Sequence, residues 1–196
     1  MVSGIHTKTQ SVPLAIQTRS MLWVSLFAAL TAVGGFIRIP TPPVPITLQT
    51  FFVYLAGNLL GSKKGAGSQI IFLIVGLIGI PVFGNGGGPG YILQPTFGYL
   101  LGFPAAAWLI GKLNPQRRPQ AWWKLFFANS AGGLLILTTG VIYLYICMNL
   151  IVKSPLSWTQ ALWTGLLIFL PGETIKIILA VGLSRRLNSL LNIVEV

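Results

Sequence analysis

Glu173 stands inside the apolar run Ala161-Leu-Trp-Thr-Gly-Leu-Leu-Ile-Phe-Leu-Pro-Gly-Glu-Thr-Ile-Lys-Ile-Ile-Leu-Ala-Val-Gly182, and Lys176 follows it three positions later. On a helix those two positions share a side. Charge placed in so much hydrocarbon is costly unless it is paired or lines a polar cavity. The chain has only two acidic residues, and the other, Glu195, lies next to the C-terminus, where it is easily solvated. Ionisable groups at membrane depth usually mark a substrate or ion site. A structural ion pair between packed helices is the other reading of Glu173 and Lys176.

Only 8% of the 196 residues are charged, whereas 54% are hydrophobic. A soluble domain carries about 25% charged residues, so this chain cannot cover a globular surface and reads as an all-α integral membrane protein. Its formal charge of +11 does not indicate a nucleic-acid partner. The basic residues punctuate the joints between apolar runs, as topology signals do. With one cysteine (Cys147) and one histidine (His6), no disulfide framework or metal cluster can be built. One buried acid gives no catalytic triad or acid–base dyad, and no Gly-Lys-Ser/Thr phosphate loop is present. The chain does not read as an enzyme, and no cofactor is expected.

Six spans account for the apolar material, at about 20–36, 47–60, 67–80, 95–111, 122–152 and 158–183. The first is longer than a signal-peptide core and is read as a retained helix. Spanning takes roughly 17 to 25 residues; the second and third runs are short by that measure and the last two long, which points to tilts, kinks and structured loops. Residues 1–19 and 188–196 are read as cytoplasmic tails around a membrane domain at 20–187. With the N-terminus inside, the inner joints collect Lys8, Arg19, Lys63, Lys64, Lys112, Arg117, Arg118, Lys124, Arg185 and Arg186, and the outer ones only Arg38 and Lys153. That asymmetry sets both termini in the cytoplasm. The outer joints are specialised. Ile39-Pro-Thr-Pro-Pro-Val-Pro-Ile46 is stiffened by its prolines, and Pro81-Val-Phe-Gly-Asn-Gly-Gly-Gly-Pro-Gly90 is Gly-rich and uncharged. Both are expected to fold over the mouth of a cavity. No full-length internal repeat is visible, which argues against an inverted-repeat carrier.

Pro171-Gly172 breaks the last span just before Glu173, and such breaks occur where a helix lines a cavity. A carboxylate only accepts hydrogen bonds and an ammonium only donates them, so Glu173 and Lys176 together suit a ligand with both kinds of group. Thr47 and Gln49 stand where the Pro-rich loop enters the second span, as ligand contacts or, for Thr47, as a helix cap. Asn85 sits among glycines that allow close backbone approach, in a ligand-facing or a merely flexible loop. Tyr99 is either a ligand hydroxyl or an interfacial anchor, as Trp122, Trp123, Trp158 and Trp163 are read to be. The pairs Ala28/Ala32 and Gly98/Gly102 have the small-residue spacing of close helix contacts, within the chain or on a partner subunit.

Several stretches together resemble the BioY family, the biotin-specific substrate-binding (S) components of energy-coupling factor transporters. They are Pro42-Pro-Val-Pro-Ile-Thr-Leu-Gln-Thr50, Leu55-Ala-Gly-Asn-Leu-Leu-Gly61, Gly76-Leu-Ile-Gly-Ile-Pro-Val-Phe83 with the Gly-rich loop, Pro95-Thr-Phe-Gly-Tyr-Leu-Leu-Gly-Phe103 and Pro171-Gly-Glu-Thr-Ile-Lys176. The resemblance covers about 31–183. It implies the six-helix S-component fold and biotin as a transported ligand bound near the outer face. It maps the family's last-helix acid and lysine onto Glu173 and Lys176, with Glu in place of the more usual Asp. It maps the loop residues onto Gln49 and Asn85, and adds Tyr99. It also implies a transmembrane coupling (T) subunit that docks on Ala28 and Ala32, a pair of ATPase subunits, and reorientation of the whole subunit in the bilayer. Biotin's cyclic urea, apolar thioether ring and carboxylate tail match an acid, a lysine and a dry cavity. An S component for another vitamin, a stand-alone secondary carrier and a purely structural membrane protein are the alternatives.

Overall fold

The computed structural model describes residues 14–115 and 121–194. His6, Lys8, Arg117, Arg118 and Glu195 lie outside the described residues. The elements are helix α1 (Leu14–Phe36), a short ribbon of β1 (Arg38–Ile39) and β2 (Ile46–Thr47), and then α2 (Gln49–Leu77), α3 (Phe97–Leu113), α4 (Trp122–Ile146), α5 (Trp158–Gly165) and α6 (Leu170–Val194). Single-turn pieces at Pro89–Leu93, Cys147–Ile151 and Leu167–Phe169 complete the order. Three helical stretches, Thr18–Phe36, Trp122–Ile151 and Trp158–Leu187, are long and apolar enough to cross a membrane, and α3 is apolar but shorter. Both terminal helices extend past the expected span limits near residues 20 and 183.

The second and third expected runs form one element, and α2 reverses direction inside it. Gly61 takes φ 76°, ψ −176° there, a region essentially restricted to glycine. In an unbroken helix Ala56 and Gly65 would lie about 13 Å apart along the axis. Instead a Cβ on Gly65 would stand 3.0 Å from the Ala56 carbonyl oxygen and 3.3 Å from Gly57 Cα. The two arms, 49–60 and 62–77, therefore lie side by side, with Lys63 and Lys64 at the reversal. Glycine also lets α3 seat against this bend, because a Cβ on Gly111 would collide with backbone at Gly61 and Ser62.

The first arm of α2 is the centre of the bundle. It runs parallel to α6, since Thr50 meets Glu173 and, further along both helices, Asn58 meets Ser184. α3 and α4 are antiparallel. Gly98 faces Tyr143, Gly102 faces Thr139 and Ile136, and Ile110 faces Gly132. The Gly98/Gly102 pair thus packs helices within the chain. Val53, Tyr54, Phe72, Phe103, Ile110 and Ile136 fill the core. Met21, Leu22, Ile70, Ile74, Leu134, Ile142, Ile175 and Leu179 point outward, an apolar exterior that suits lipid. Trp122, Trp123, Trp158 and Trp163 are exposed as well.

The break in the last span lies earlier than Pro171-Gly172. It falls at Leu166 (φ −128°, ψ −61°) and the tight turn Leu167–Phe169, after which α6 begins at Leu170. Pro171 is inside the first turn of α6, where a missing N–H costs nothing and a fixed φ helps. Glu173 therefore lies in that first turn, where the helix dipole favours a negative charge. Gly61→Ala is expected to cost about 1–3 kcal/mol of stability, read as a lower midpoint of thermal unfolding in detergent.

Candidate functional site

Two covers lie at one end of the bundle. β1 and β2 pair antiparallel, Arg38 opposite Thr47 and Ile39 opposite Ile46, with the Pro-rich segment as their loop. Within it, the Thr41 hydroxyl donates to the Val44 carbonyl at 2.8 Å. The Gly-rich loop folds back on the end of α2, with Gly88 N–H donating to Gly76 O at 2.7 Å and Phe83 buried against Phe72 and Tyr91. Arg38 joins the two covers by donating to Asn85 Oδ1 at 2.7 Å.

Beneath them is a cavity. Val44, Pro45, Thr47 and Gly84 line it from the covers, and Tyr99, Leu100, Phe103, Ile136, Leu137 and Phe169 form apolar walls. Gln49, Thr50, Glu173 and Lys176 supply polar groups, with Tyr91 and Thr96 at the side. Burial raises the Tyr91 phenol above its ordinary value, so it stays a neutral hydroxyl, and it accepts a hydrogen bond from Thr96 Oγ1 at 3.0 Å.

Glu173 and Lys176 are 5% and 7% exposed and paired with each other. Every partner they have besides is uncharged. Lys176 Nζ donates to Thr47 O at 3.0 Å, to Thr50 Oγ1 at 2.6 Å and to Glu173 Oε1, which uses all three ammonium protons. Glu173 Oε1 also accepts from Thr50 Oγ1 at 3.0 Å, and its Oε2 accepts from the Tyr54 hydroxyl. Such saturation is what makes a buried ion pair tolerable.

The other expected residues divide. Gln49 is 3% exposed; its Oε1 accepts from the Thr47 hydroxyl at 3.2 Å, while its Nε2 meets no protein acceptor. A buried amide donor without a partner is costly, and this one belongs to a cavity-lining residue. Thr47 does not cap α2, whose N-cap is Leu48 without a side-chain bond. Tyr99 lines the cavity with its ring, and its hydroxyl donates to Gly165 O at 2.7 Å. Asn85 is not among the lining residues; it is exposed and engaged by Arg38. Ala28 is buried and Ala32 half-buried against the core.

Thr50 and Tyr54 escaped the sequence reading. The signal was there in the spacing: Thr50, Tyr54 and Asn58 recur every four positions, a polar stripe on one face of an apolar helix.

Residues 7–193 match the model of the BioY family. The chain belongs to that family. It is 45% identical over 148 residues to a probable biotin transporter BioY of Lysinibacillus sphaericus, spanning 76% of each chain. It is 36% identical over 174 residues to the biotin transporter BioY of Thermotoga maritima, covering 88% of this chain and 97% of that protein. In three dimensions it resembles a crystal structure at 2.1 Å of the S-component for biotin from an ECF-type ABC transporter. The TM-score is 0.79 and the identity 31%, over 91% of this chain and 95% of that one.

Removing one member of the ion pair leaves the other as an uncompensated buried charge. Lys176→Met is expected to destabilise the protein by about 3–5 kcal/mol. The double variant Glu173→Gln/Lys176→Met is expected to recover part of that loss, compared by thermal unfolding in the same detergent.

Proposed function

We propose that this chain is the biotin-binding S component of a vitamin uptake transporter. The observation that carries the reading is the cavity itself, in which a buried acid–lysine pair stands against apolar walls. Its polar groups match what biotin offers. Glu173 accepts from the urea N–H groups or Lys176 pairs with the carboxylate, while Tyr99, Phe103 and Phe169 pack on the thioether ring. Gln49 and Thr47 contact the ligand from β2 and the start of α2. Asn85 joins by exchanging Arg38 for biotin as the covers settle on it. A site built to satisfy each polar group rejects analogues that lack one.

In this reading α1, the two arms of α2, α3, α4 with its terminal turn, and α5 with α6 are the six spans. The protein lies in the cell membrane with both termini in the cytoplasm and the covers outside. Basic side chains support that orientation, because Lys63, Lys64 and Lys112 gather at one end and the covers at the other carry Arg38. Inward delivery uses a T component and a pair of ATPase subunits, with the S component reorienting as a body. Docking of the T component on α1 uses Ala32 at the seam with the core, and Ala28 once α1 shifts.

Titration of the purified protein with labelled biotin tests the proposal. Saturable binding is expected, with thiamine and riboflavin failing to compete. Glu173→Gln should raise the biotin Kd at least about tenfold, the loss expected for one hydrogen bond to a charged group. Unchanged affinity in that variant and in Lys176→Met would place biotin elsewhere. Uptake that runs on an ion gradient without partner subunits would favour a secondary carrier instead.

A further inference from the structure

The Glu173 carboxylate is held from two sides. Thr50 and Lys176 take Oε1, and both of them line the cavity. Oε2 takes the hydroxyl of Tyr54, a residue 0% exposed and not among the lining residues. Tyr54 therefore reaches the carboxylate from the core side. Space for its hydroxyl comes from α4. A Cβ on Gly133 would stand 2.7 Å from Tyr54 Oη and 3.5 Å from its Cζ. A phenol has one proton to give, and this one goes to the only acid within the described residues.

We infer that Tyr54 is a positioning residue for ligand recognition, its hydroxyl fixing Glu173 Oε2 from behind so that the carboxylate keeps one orientation toward the cavity. The inference rests on the biotin reading above and deepens it. A glutamate side chain has several torsions, and a ligand that had to order them would bind more weakly. Tyr54 orders them beforehand, and Gly133 serves Tyr54 by leaving the hydroxyl its place. A tyrosine that merely filled the core would exchange for phenylalanine without consequence for Glu173.

The scarcity of acid makes this directly measurable. Protein labelled with 13C at the glutamate side-chain carboxyl carries two labelled groups, Glu173 and Glu195, and Glu195→Gln assigns them by NMR. Tyr54→Phe is expected to shift the Glu173 line and to raise the biotin Kd about tenfold, as for one hydrogen bond to a charged group. Gly133→Ala, which crowds the hydroxyl, should act in the same direction. The double variant should bind no worse than Tyr54→Phe alone, since the ring without its hydroxyl leaves room for the methyl group and the two effects share one cause. An unmoved Glu173 line, a Kd within roughly twofold of the parent, or costs that multiply in the double variant would each overturn the inference. If Tyr54→Phe does not fold, Gly133→Ala decides by the same two readouts. If the parent shows no saturable biotin binding, the biotin reading fails, and the carboxyl line still tests the contact between Tyr54 and Glu173.

Discussion

Burying an ammonium and a carboxylate costs several kcal/mol per ion even after the protein relaxes, and the arrangement around Glu173 and Lys176 follows from that cost. Their mutual attraction does not offset it without further hydrogen bonds. Thr50, Tyr54 and the Thr47 carbonyl supply them, and all three come from β2 and the first arm of α2. That arm must therefore lie against the first turn of α6. The remaining packing serves this contact. α2 reverses at Gly61, and α3 seats on the reversal through Gly111. On the other side, α4 leaves a gap for the Tyr54 hydroxyl at Gly133.

The same pair links the site to its covers. Lys176 holds the backbone of β2, and β2 carries the Pro-rich loop whose Val44 and Pro45 form part of the cavity lining. Arg38, opposite Thr47 in the ribbon, reaches across to Asn85 of the Gly-rich loop. One chain of contacts therefore runs from Glu173 through Lys176 to the ribbon and on to the second cover.

Much of this was legible before the fold was known. An acid and a base three positions apart in an apolar run stand out in the sequence, and Gln49, Thr47 and Tyr99 line the same cavity as they do. The helix reversal near Lys63-Lys64 was legible as a basic joint, because two charges and flanking glycines do not continue a buried helix. Other features depend on contacts that no local pattern reports. The break before α6 was assigned to Pro171-Gly172, but proline is at home in a first helical turn, and the chain bends at Leu166 instead. Asn85 reads the same in sequence whether it faces a ligand or an arginine from another loop. Ala28 and Ala32 have a spacing suited to any close helix contact; Ala28 is buried in the chain's own core and Ala32 half-buried at its edge. Tyr54 carries no local signal of its role because its partner is 119 positions away.

The central claim is that biotin sits in the cavity between the charged pair and the covers. A crystal or cryo-electron-microscopy structure of the protein with biotin added tests it most directly. The expected map shows the ligand beneath Pro45 and Gly84, with its polar ends within hydrogen-bonding distance of Glu173 and Lys176 and its ring against Tyr99 and Phe169. Biotin bound on another face, with the Glu173–Lys176 pair and its Thr50, Tyr54 and Thr47 partners undisturbed, would contradict it.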